Sequence, residues 1–452
     1  MNPALPPRVL AALAAGLDHA SLACVDWNGR LRAKQLRLEE FGPAFTRGVA
    51  FTSAIFATDT AERPITSGRF QNPANGYPDA WLRADPQAVY GDAFGAHPHS
   101  LVVLGQLVDG HQAFCPRAIL GREIAALGQL GFSIFGAFEY EFHWLRETTE
   151  SLRDKTPAQL ARLPELARMY SYVDQSLVAA PCAALRAAAL ASGVEIESLH
   201  AEFTGLLECA LVPVEGMAIA DRAVLFKAVA KTVARQHGLM AVFMARVAAE
   251  FESAGAHLNI SLRTEAPHRA AFYAAESPQH LSLTLQHFVA GLQRYTPELA
   301  LLHLPHINSY KRWIEPSFAP RVNAWGIENK TCAYRVVNAH PEVTRIEFRL
   351  PGADVNPHLC LAAVIAAGRR GIEQRLLPTP PVSGDAATSP HHGLAFPQSL
   401  SAALAAWRGS AFAQEIFGQA FTEEFAQTRD WQLQQLQHTV TDWELRQFAE
   451  GV

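Results

Sequence analysis

Four short segments of the chain alternate polar and apolar residues with a period of two, which is the pattern of a β-strand with two different faces. The segments are Phe138–His143, His200–Glu208, His257–Leu262 and Arg345–Leu350. Their polar positions carry glutamate, histidine and arginine, whereas a solvated strand face usually carries lysine, threonine and serine. Because glutamate and histidine bind divalent metals and arginine binds phosphate, the pattern predicts strands that carry metal and phosphate chemistry.

The rest of the pattern predicts an α+β chain with two units. The first 112 residues are predicted to form short strands and turns, including a hairpin at Ser21–Trp27 that turns at Asn28-Gly29. From residue 113 onward, helical patterns alternate with strands. Asp221 is predicted to be the N-cap of the helix that follows it, and Asn356 before Pro357 is predicted to begin another helix.

Length and composition limit the possible functions. The chain has 452 residues, which exceeds the usual size of a single domain. Its net charge of -5 and the lack of a basic run argue against nucleic acid as a partner. No apolar run reaches the ~20 residues that a membrane span needs. Six cysteines without CxxC spacing favour free thiols in a reducing compartment, and a cytoplasmic location is expected.

Carboxylates gathered on neighbouring strands repel one another unless a cation neutralises them. Oxygen ligands with one imidazole suit Mg²⁺ or Mn²⁺. Arg345 and Arg349, on either side of Glu347, would then bind a phosphate or a substrate carboxylate. The alternative is that each segment is an ordinary half-exposed strand. The recurrence of the pattern in four segments favours metal and phosphate chemistry.

The sequence motifs resemble those of the glutamine synthetase superfamily, particularly its branch of γ-glutamylamide ligases. The resemblance rests on the four strand segments together with Phe243–Arg246, Asn308–Arg312, Trp325–Thr331, Asn356–Leu359 and Thr441–Leu445. It implies a small N-terminal β-grasp-like domain over residues 1–112 and a glutamine-synthetase-type catalytic α/β domain over residues 113–452. It also implies self-association into rings, commonly dodecamers, with active sites between neighbouring subunits.

The resemblance assigns roles to individual residues. It implies that Glu141, Glu202 and Glu208 hold one metal ion, and that Glu139, His257 and Glu347 hold a second one that faces the nucleotide phosphates. It implies nucleotide contacts for Glu197 and Ser261, phosphate contacts for Arg335 and Arg345, and contacts with glutamate and the transferred phosphoryl group for Arg312 and Arg349. Lys330 occupies the position of a transition-state arginine. The implied reaction uses ATP to join glutamate to an amine through γ-glutamyl phosphate.

Two departures from the family pattern concern the amine. Glutamine synthetases proper carry an acid on a flap near the ammonium site, and here that position is Phe318. A second acid, donated by a neighbouring subunit, aligns with Thr52. Because ammonium needs negative charge close by, we expect a primary amine with an apolar body instead. Polyamines, ethanolamine, and alkyl or aryl amines all remain open.

Other departures leave alternatives to this function. The glycine-rich stretch that helps hold glutamate is Glu252–Gly255 here, so a related carboxylate could replace glutamate. This stretch and Lys330 would also fit a catalytically silent homologue that acts as a scaffold or regulator. An ordinary glutamine synthetase that uses ammonium is the third alternative. Retention of all the implied metal ligands favours the ligase.

Overall fold

The computed structural model describes residues 5–68, 70–165, 167–266, 268–314 and 317–451. An N-terminal sheet of five strands is ordered β2-β1-β5-β4-β3. Its strands are β1 His19–Val25, β2 Leu31–Arg37, β3 Val49–Phe51, β4 Ala80–Gly91 and β5 Leu101–Val108. The predicted hairpin is confirmed, since β1 and β2 pair antiparallel. The Asp26 carboxylate closes its turn by accepting hydrogen bonds from the backbone N–H groups of Asn28 and Arg30 at 2.9 and 3.0 Å.

A second sheet of ten strands follows, with the main order β13-β14-β15-β12-β6-β9-β8 and β7, β10 and β11 also paired with β6. Its strands are β6 Phe132–Leu145, β7 Arg162–Leu163, β8 Ile196–Phe203, β9 Leu206–Leu211, β10 Val214–Glu215, β11 Met240–Val242, β12 Ala256–Thr264, β13 Trp325–Ile327, β14 Tyr334–Val337 and β15 Arg345–Phe348. Every pairing is antiparallel except that of β13 with β14. The predicted segment His200–Glu208 turns at Gly205 and therefore forms two paired strands, not one.

Helices form much of the rest of the described chain, and some of them pack against the two sheets. They are α1 Pro7–Ala14, α2 Phe41–Thr46, α3 Pro116–Gly128, α4 Tyr172–Gln175, α5 Ala179–Ala191, α6 Ala218–Gln236, α7 Leu283–His303, α8 Pro357–Glu373, α9 Leu400–Gly409, α10 Ala411–Phe417, α11 Gln419–Gln437 and α12 Asp442–Phe448. Alternation along β6 places Phe138, Tyr140 and Phe142 in the core, where Tyr140 and Phe142 contact Phe226 of α6. The opposite face of β6 is thereby free to carry its glutamates.

Two predicted helix starts had different outcomes. Asn356 is confirmed as the N-cap of α8, because its side chain accepts hydrogen bonds from the N–H groups of His358 and Leu359. The prediction for Asp221 is wrong, because α6 begins at Ala218 and Asp221 lies inside its first turn. Asp221 is buried and accepts hydrogen bonds from the Arg117 guanidinium, so an ion pair with a distant residue replaces the predicted cap.

Two further expectations concern the chain as a whole. All six cysteines are free, as predicted, and all six are buried. Within the part of the chain that the structure describes, none of the helices combines the length and the apolar character that crossing a membrane requires.

Candidate active site

A cavity of about 400 Å³, which we call the metal cavity, opens over the polar face of the larger sheet. All the residues predicted to bind metal line it: Glu139, Glu141, Glu202, Glu208, His257 and Glu347. Strand register explains much of this convergence. His257 on β12 pairs with Glu139 on β6, and Glu141 on β6 pairs with Glu208 on β9. Directly opposed residues of antiparallel strands place their side chains side by side on one face.

The ligand-type side chains form two groups that share one residue. Ligand atoms of Glu139, Glu208 and His257 all lie within 4.8 Å of one another, and so do those of Glu141, Glu202 and Glu208. His257 Nδ1 is 3.1 Å from Glu139 Oε1, and His257 Nε2 is 3.6 Å from Glu141 Oε1. Each group offers the oxygen-rich ligands that hard divalent cations require, and the first adds one imidazole.

Glu347 lies on the arginine side of the metal cavity. Its Oε1 is 3.5 Å from His257 Nδ1, and its other oxygen accepts a hydrogen bond of 2.8 Å from Arg335. Arg349 pairs with Glu347 as well. Burial alone would raise the pKa of Glu347, but His257, Arg349 and Arg335 lower it to about 2. The geometry therefore groups Glu208 with Glu139 and His257, and places Glu347 between this group and the arginines.

Glu202 and Glu208 carry the electrostatic cost of the site. Burial, followed by repulsion from Glu141 and Glu208, raises the pKa of Glu202 to about 8. Burial and repulsion from Glu139 and Glu141 likewise raise the pKa of Glu208 to about 8. A divalent cation would remove this cost by replacing the protons. The donor set therefore fits one or more divalent metal ions.

Metal affinity is therefore expected to depend on pH. Below about pH 8 the ligands Glu202 and Glu208 hold protons that the metal must displace, so affinity should rise by up to roughly tenfold per pH unit for each proton released. Titration calorimetry with Mn²⁺ in buffers of different ionisation enthalpy would measure the affinity and the number of protons. Affinity that stays constant between about pH 6 and 8 would contradict the assignment of these glutamates as ligands.

Arg312 and Arg349 form the innermost wall of the metal cavity. Arg312 is only 2% exposed and donates hydrogen bonds to the carbonyls of Leu350 and Pro351, at 2.5 and 3.0 Å. Burial lowers the pKa of Arg312 to about 10, so it is still charged at neutral pH. The Nε atoms of Arg312 and Arg349 are buried, and no residue in the described ranges hydrogen-bonds to them. Both arginines line the metal cavity, so a carboxylate or phosphoryl group bound there could pair with their guanidinium groups.

A second cavity of about 280 Å³, the side cavity, adjoins the metal cavity and shares Glu139, Asn259 and Arg345 with it. Glu197 and Ser261, the predicted nucleotide contacts, line the side cavity. Arg345 Nε donates a hydrogen bond of 2.9 Å to Asn259 Oδ1, which fixes this arginine between the two cavities. A nucleotide could therefore place its phosphate chain in the metal cavity and its base in the side cavity.

Phe318, Ala319 and Lys330 lie at the rim of the metal cavity. The Phe318 side chain is 69% exposed, so it is available to contact a ligand and contributes little to the core. The exposed Lys330 lies on the same rim, and its charge partly offsets the rise in the pKa of Glu208. A phenyl ring and a lysine thus lie at the opening of the metal cavity.

Four further residues of the metal cavity were not predicted from the sequence: Met169, Tyr170, Phe203 and Leu206. The Tyr170 ring stacks on His200 with centroids 4.4 Å apart, and its backbone has a positive φ of 56°. Burial and the charges of Glu208 and Glu202 raise the pKa of Tyr170 to about 12, so its hydroxyl remains protonated. These residues belong to a loop and to the ends of β8 and β9, where no periodic pattern marks them.

Thr52 is the one predicted substrate residue outside the metal cavity. It is exposed, precedes a short 3₁₀ helix at Ser53–Ala57 in the N-terminal unit, and is not among the residues that line the metal cavity of its own chain. Its predicted role requires a neighbouring subunit, so that role stays a prediction.

The sequence profile of the family described as "Glutamine synthetase, catalytic domain" matches residues 113–448, which include every cavity residue discussed above. The chain belongs to the glutamine synthetase superfamily. Ligases of this superfamily use ATP and divalent metal ions, which agrees with the cofactors predicted from the sequence. The predicted family is thus confirmed, as is the mixed helix and sheet fold of glutamine synthetase type.

Relatives of this superfamily member span nearly its whole length. It is 30% identical over 438 residues to a "Glutamate–isopropylamine ligase" from Pseudomonas sp., covering 96% of this chain and 95% of the relative. It is 32% identical over 444 residues to the "Gamma-glutamylethanolamide synthetase GlnA4" of Streptomyces coelicolor, covering 97% and 94%. A solved "GmaS/ADP complex" superposes with a TM-score of 0.83 at 22% identity, covering 99% and 100%, and this likeness concerns the fold alone.

Proposed function

We propose that this glutamine synthetase homologue joins a primary amine to the γ-carboxylate of glutamate at the expense of ATP, giving a γ-glutamylamide, ADP and phosphate. One observation carries the proposal: carboxylates and arginines suited to metal and phosphoryl binding share a cavity with an apolar rim. The full-length relatives support it, because both are named as enzymes that make such amides or ligate such amines.

The chemistry follows from the poor reactivity of a carboxylate toward amines. A γ-carboxylate oxygen of glutamate attacks the γ-phosphorus of ATP, and the bond from that phosphorus to ADP breaks. The amine nitrogen then attacks the acyl carbon of γ-glutamyl phosphate, phosphate leaves, and the nitrogen loses a proton. Arg312 and Arg349 would hold the glutamate carboxylate and the moving phosphoryl group, while Arg335 and Lys330 would offset negative charge that develops during transfer.

The metal ions would be Mg²⁺ or Mn²⁺, with two or more in each site. Bound there, they would polarise the phosphoryl oxygens and neutralise charge on the transferred group. Glu141, Glu202 and Glu208 would hold one ion, and Glu139 and His257 would hold the other together with Glu347 or the shared Glu208. We further propose that the ATP base occupies the side cavity between Glu197 and Ser261, and that Arg345 directs the phosphates toward the metals.

The rim favours an amine with an apolar body over ammonium. Phe318, Met169 and the half-buried Phe203 offer apolar surface in the cavity, and burying such surface against an alkyl or aryl group is favourable by about 25 cal/mol per Å². An ordinary glutamine synthetase would need an acid in this region. A silent scaffold would have no use for a cluster of glutamates whose mutual repulsion raises two pKa values to about 8.

The test is phosphate release from ATP, Mg²⁺ and glutamate with isopropylamine, ethanolamine, benzylamine, putrescine and ammonium in parallel. We expect release with at least one of the apolar amines at a kcat/KM at least about tenfold above that for ammonium, because apolar contact of roughly 50–60 Å² is worth ~1.4 kcal/mol. Ammonium as the best substrate would overturn the amine assignment. Silence across the panel, with intact nucleotide binding, would favour a different acyl donor or the scaffold.

We propose in addition that the chain forms rings, of which a dodecamer is the expected form, in a cytoplasmic location. The first 112 residues would form the β-grasp-like domain that brings Thr52 to the site of a neighbouring subunit. The exposed position of Thr52, outside the metal cavity of its own chain, supports this arrangement. A monomer mass in sedimentation equilibrium would exclude it.

A further inference from the structure

A cleft of about 650 Å³ lies outside the proposed active site, where three parts of the chain meet; we call it the lysine cleft. The N-terminal unit contributes Arg30 and Arg63, helix α6 contributes Lys227 and Lys231, and helix α11 contributes Trp431. No residue lines both the lysine cleft and the metal cavity. The proposed ligase reaction leaves this cleft without a role.

The cations of the lysine cleft differ in their partners. Arg30 pairs with Asp26 and Glu62 at 2.8 and 2.9 Å, and Arg63 pairs with Asp59 at 2.7 Å. Lys231, by contrast, forms no hydrogen bond or ion pair with any residue that the structure describes, and its Nζ lies 5.9 Å from the centroid of the Phe243 ring. The lysine cleft therefore presents one amino group that no hydrogen bond or ion pair within the described residues engages.

Lys227 adds a second, buried amino group. Its Nζ donates hydrogen bonds to the carbonyls of Ala353 and Val355 at 2.8 and 3.4 Å, so it has no charged hydrogen-bond partner. Burial, followed by repulsion from Lys231, lowers the pKa of Lys227 to about 7. Asp354 attracts Lys227 but is itself buried, and its Oδ2 is already engaged by Ser309 at 2.7 Å. An anion placed between the two lysines would relieve their repulsion and favour the charged form of Lys227.

One wall of the lysine cleft is apolar. It consists of Val242, Phe243 and Met244 at the end of β11, with Ile307 and Leu436 beside them. The Met244 and Leu436 side chains are 42% and 47% exposed, so they offer surface that a ligand can cover. An inorganic ion would leave this wall and most of the volume in water. A ligand with an apolar body would cover both.

The loop Leu350–Val355 connects the lysine cleft to the proposed active site. Arg312 donates hydrogen bonds to the carbonyls of Leu350 and Pro351 from the side of the metal cavity. Lys227 donates to the carbonyls of Ala353 and Val355 in the same loop from the side of the lysine cleft. A ligand that binds Lys227 therefore changes the hydrogen bonds between Lys227 and this loop, and the same loop positions Arg312.

We propose that the lysine cleft is a second ligand site, which binds a small organic anion with its carboxylate or phosphate on Lys227 and Lys231 and its apolar body on Phe243, Met244 and Leu436. Binding is coupled to glutamate binding through the loop Leu350–Val355. The coupling to glutamate binding rests on the proposed function, whereas the ligand site does not.

Titration calorimetry on the full-length protein would test the site with matched probes. 3-Phenylpropionate carries a carboxylate, and phenyl phosphate carries a phosphate. 3-Phenylpropanamide has the same apolar body as 3-phenylpropionate but no charge, and inorganic phosphate lacks the apolar body. We expect at least one of the two aromatic anions to bind. Lys231→Gln should weaken its binding about tenfold, since a charged partner is lost. Arg235→Gln is the control, because Arg235 is exposed one turn further along α6 and does not line the cleft.

The outcomes test the ligand site and its coupling to glutamate binding separately. No binding by either aromatic anion, equal binding by the neutral amide, or equal losses in Lys231→Gln and Arg235→Gln would each overturn the site. Inorganic phosphate that binds as tightly as phenyl phosphate would overturn the role of the apolar wall. With the site established, the KM for glutamate should change by about threefold or more when the cleft is saturated, and should not change in Lys231→Gln. An unchanged KM in the wild-type protein would overturn the coupling.

Discussion

Replacing Glu139 by alanine is expected to reduce phosphate release by roughly a thousandfold or more, because metal-assisted charge neutralisation supplies several kcal/mol to phosphoryl transfer. Glu139 Oε1 lies 3.1 Å from His257 Nδ1, and the ligand atoms of Glu139, Glu208 and His257 come together around the metal position proposed for Glu139 and His257. Glu347→Ala is expected to be as damaging, since it also frees Arg335 and Arg349 from their shared carboxylate. Release of phosphate with saturating amine and Mg²⁺ measures both losses.

The fold of both variants is expected to survive. Burial alone would raise the pKa of Glu139, but its contact with His257 lowers it, so removing Glu139 costs this attraction while it relieves the repulsion on Glu208. The melting temperature should therefore change little. The matched control is Glu195→Ala, an exposed glutamate just before β8 that lines neither cavity and should keep wild-type turnover. Wild-type turnover in Glu139→Ala would show that the metal is held elsewhere. Circular dichroism and sedimentation distinguish lost chemistry from lost structure.

The strands of the site were predictable because their side chains alternate between the apolar core and the polar cavity. The apolar side chains of β6 must enter the core, so a period of two fixes which face Glu139 and Glu141 occupy. The pairing of these strands was not predictable from periodicity alone, yet it decides which ligands meet. Glu141 opposite Glu208, and His257 opposite Glu139, are consequences of register. The family motifs supplied this information, whereas alternation supplied only the faces.

Other features were beyond the sequence pattern because they depend on partners far along the chain. Asp221 has the residue type and position of an N-cap, but the buried guanidinium of Arg117, 104 residues earlier, gives its carboxylate a better partner inside the helix. Tyr170 and Met169 reach the metal cavity from a loop in which no period marks a face. The lysine cleft likewise forms only when α6 and α11 pack against the N-terminal unit.

Phe318→Glu is expected to shift the amine preference toward ammonium, with the ratio of kcat/KM for isopropylamine to that for ammonium falling by roughly a hundredfold. The change removes an apolar contact worth ~2 kcal/mol and adds a negative charge that attracts a small cation by about 1 kcal/mol or more. Because the side chain is 69% exposed, the substitution should not affect folding.

Phe318→Leu is the matched control for this change, because it keeps an apolar side chain at the rim and should preserve the order of amines. The two variants together separate charge from shape. If Phe318→Glu and Phe318→Leu changed the ratio equally, the loss of the ring would matter, and a missing acid at this position would not explain the choice of amine. If neither changed it, selection of the amine would rest on the other apolar side chains that line the cavity, Met169, Phe203 and Leu206. A fall confined to Phe318→Glu would show that negative charge at this one position distinguishes an ammonium site from a site for larger amines.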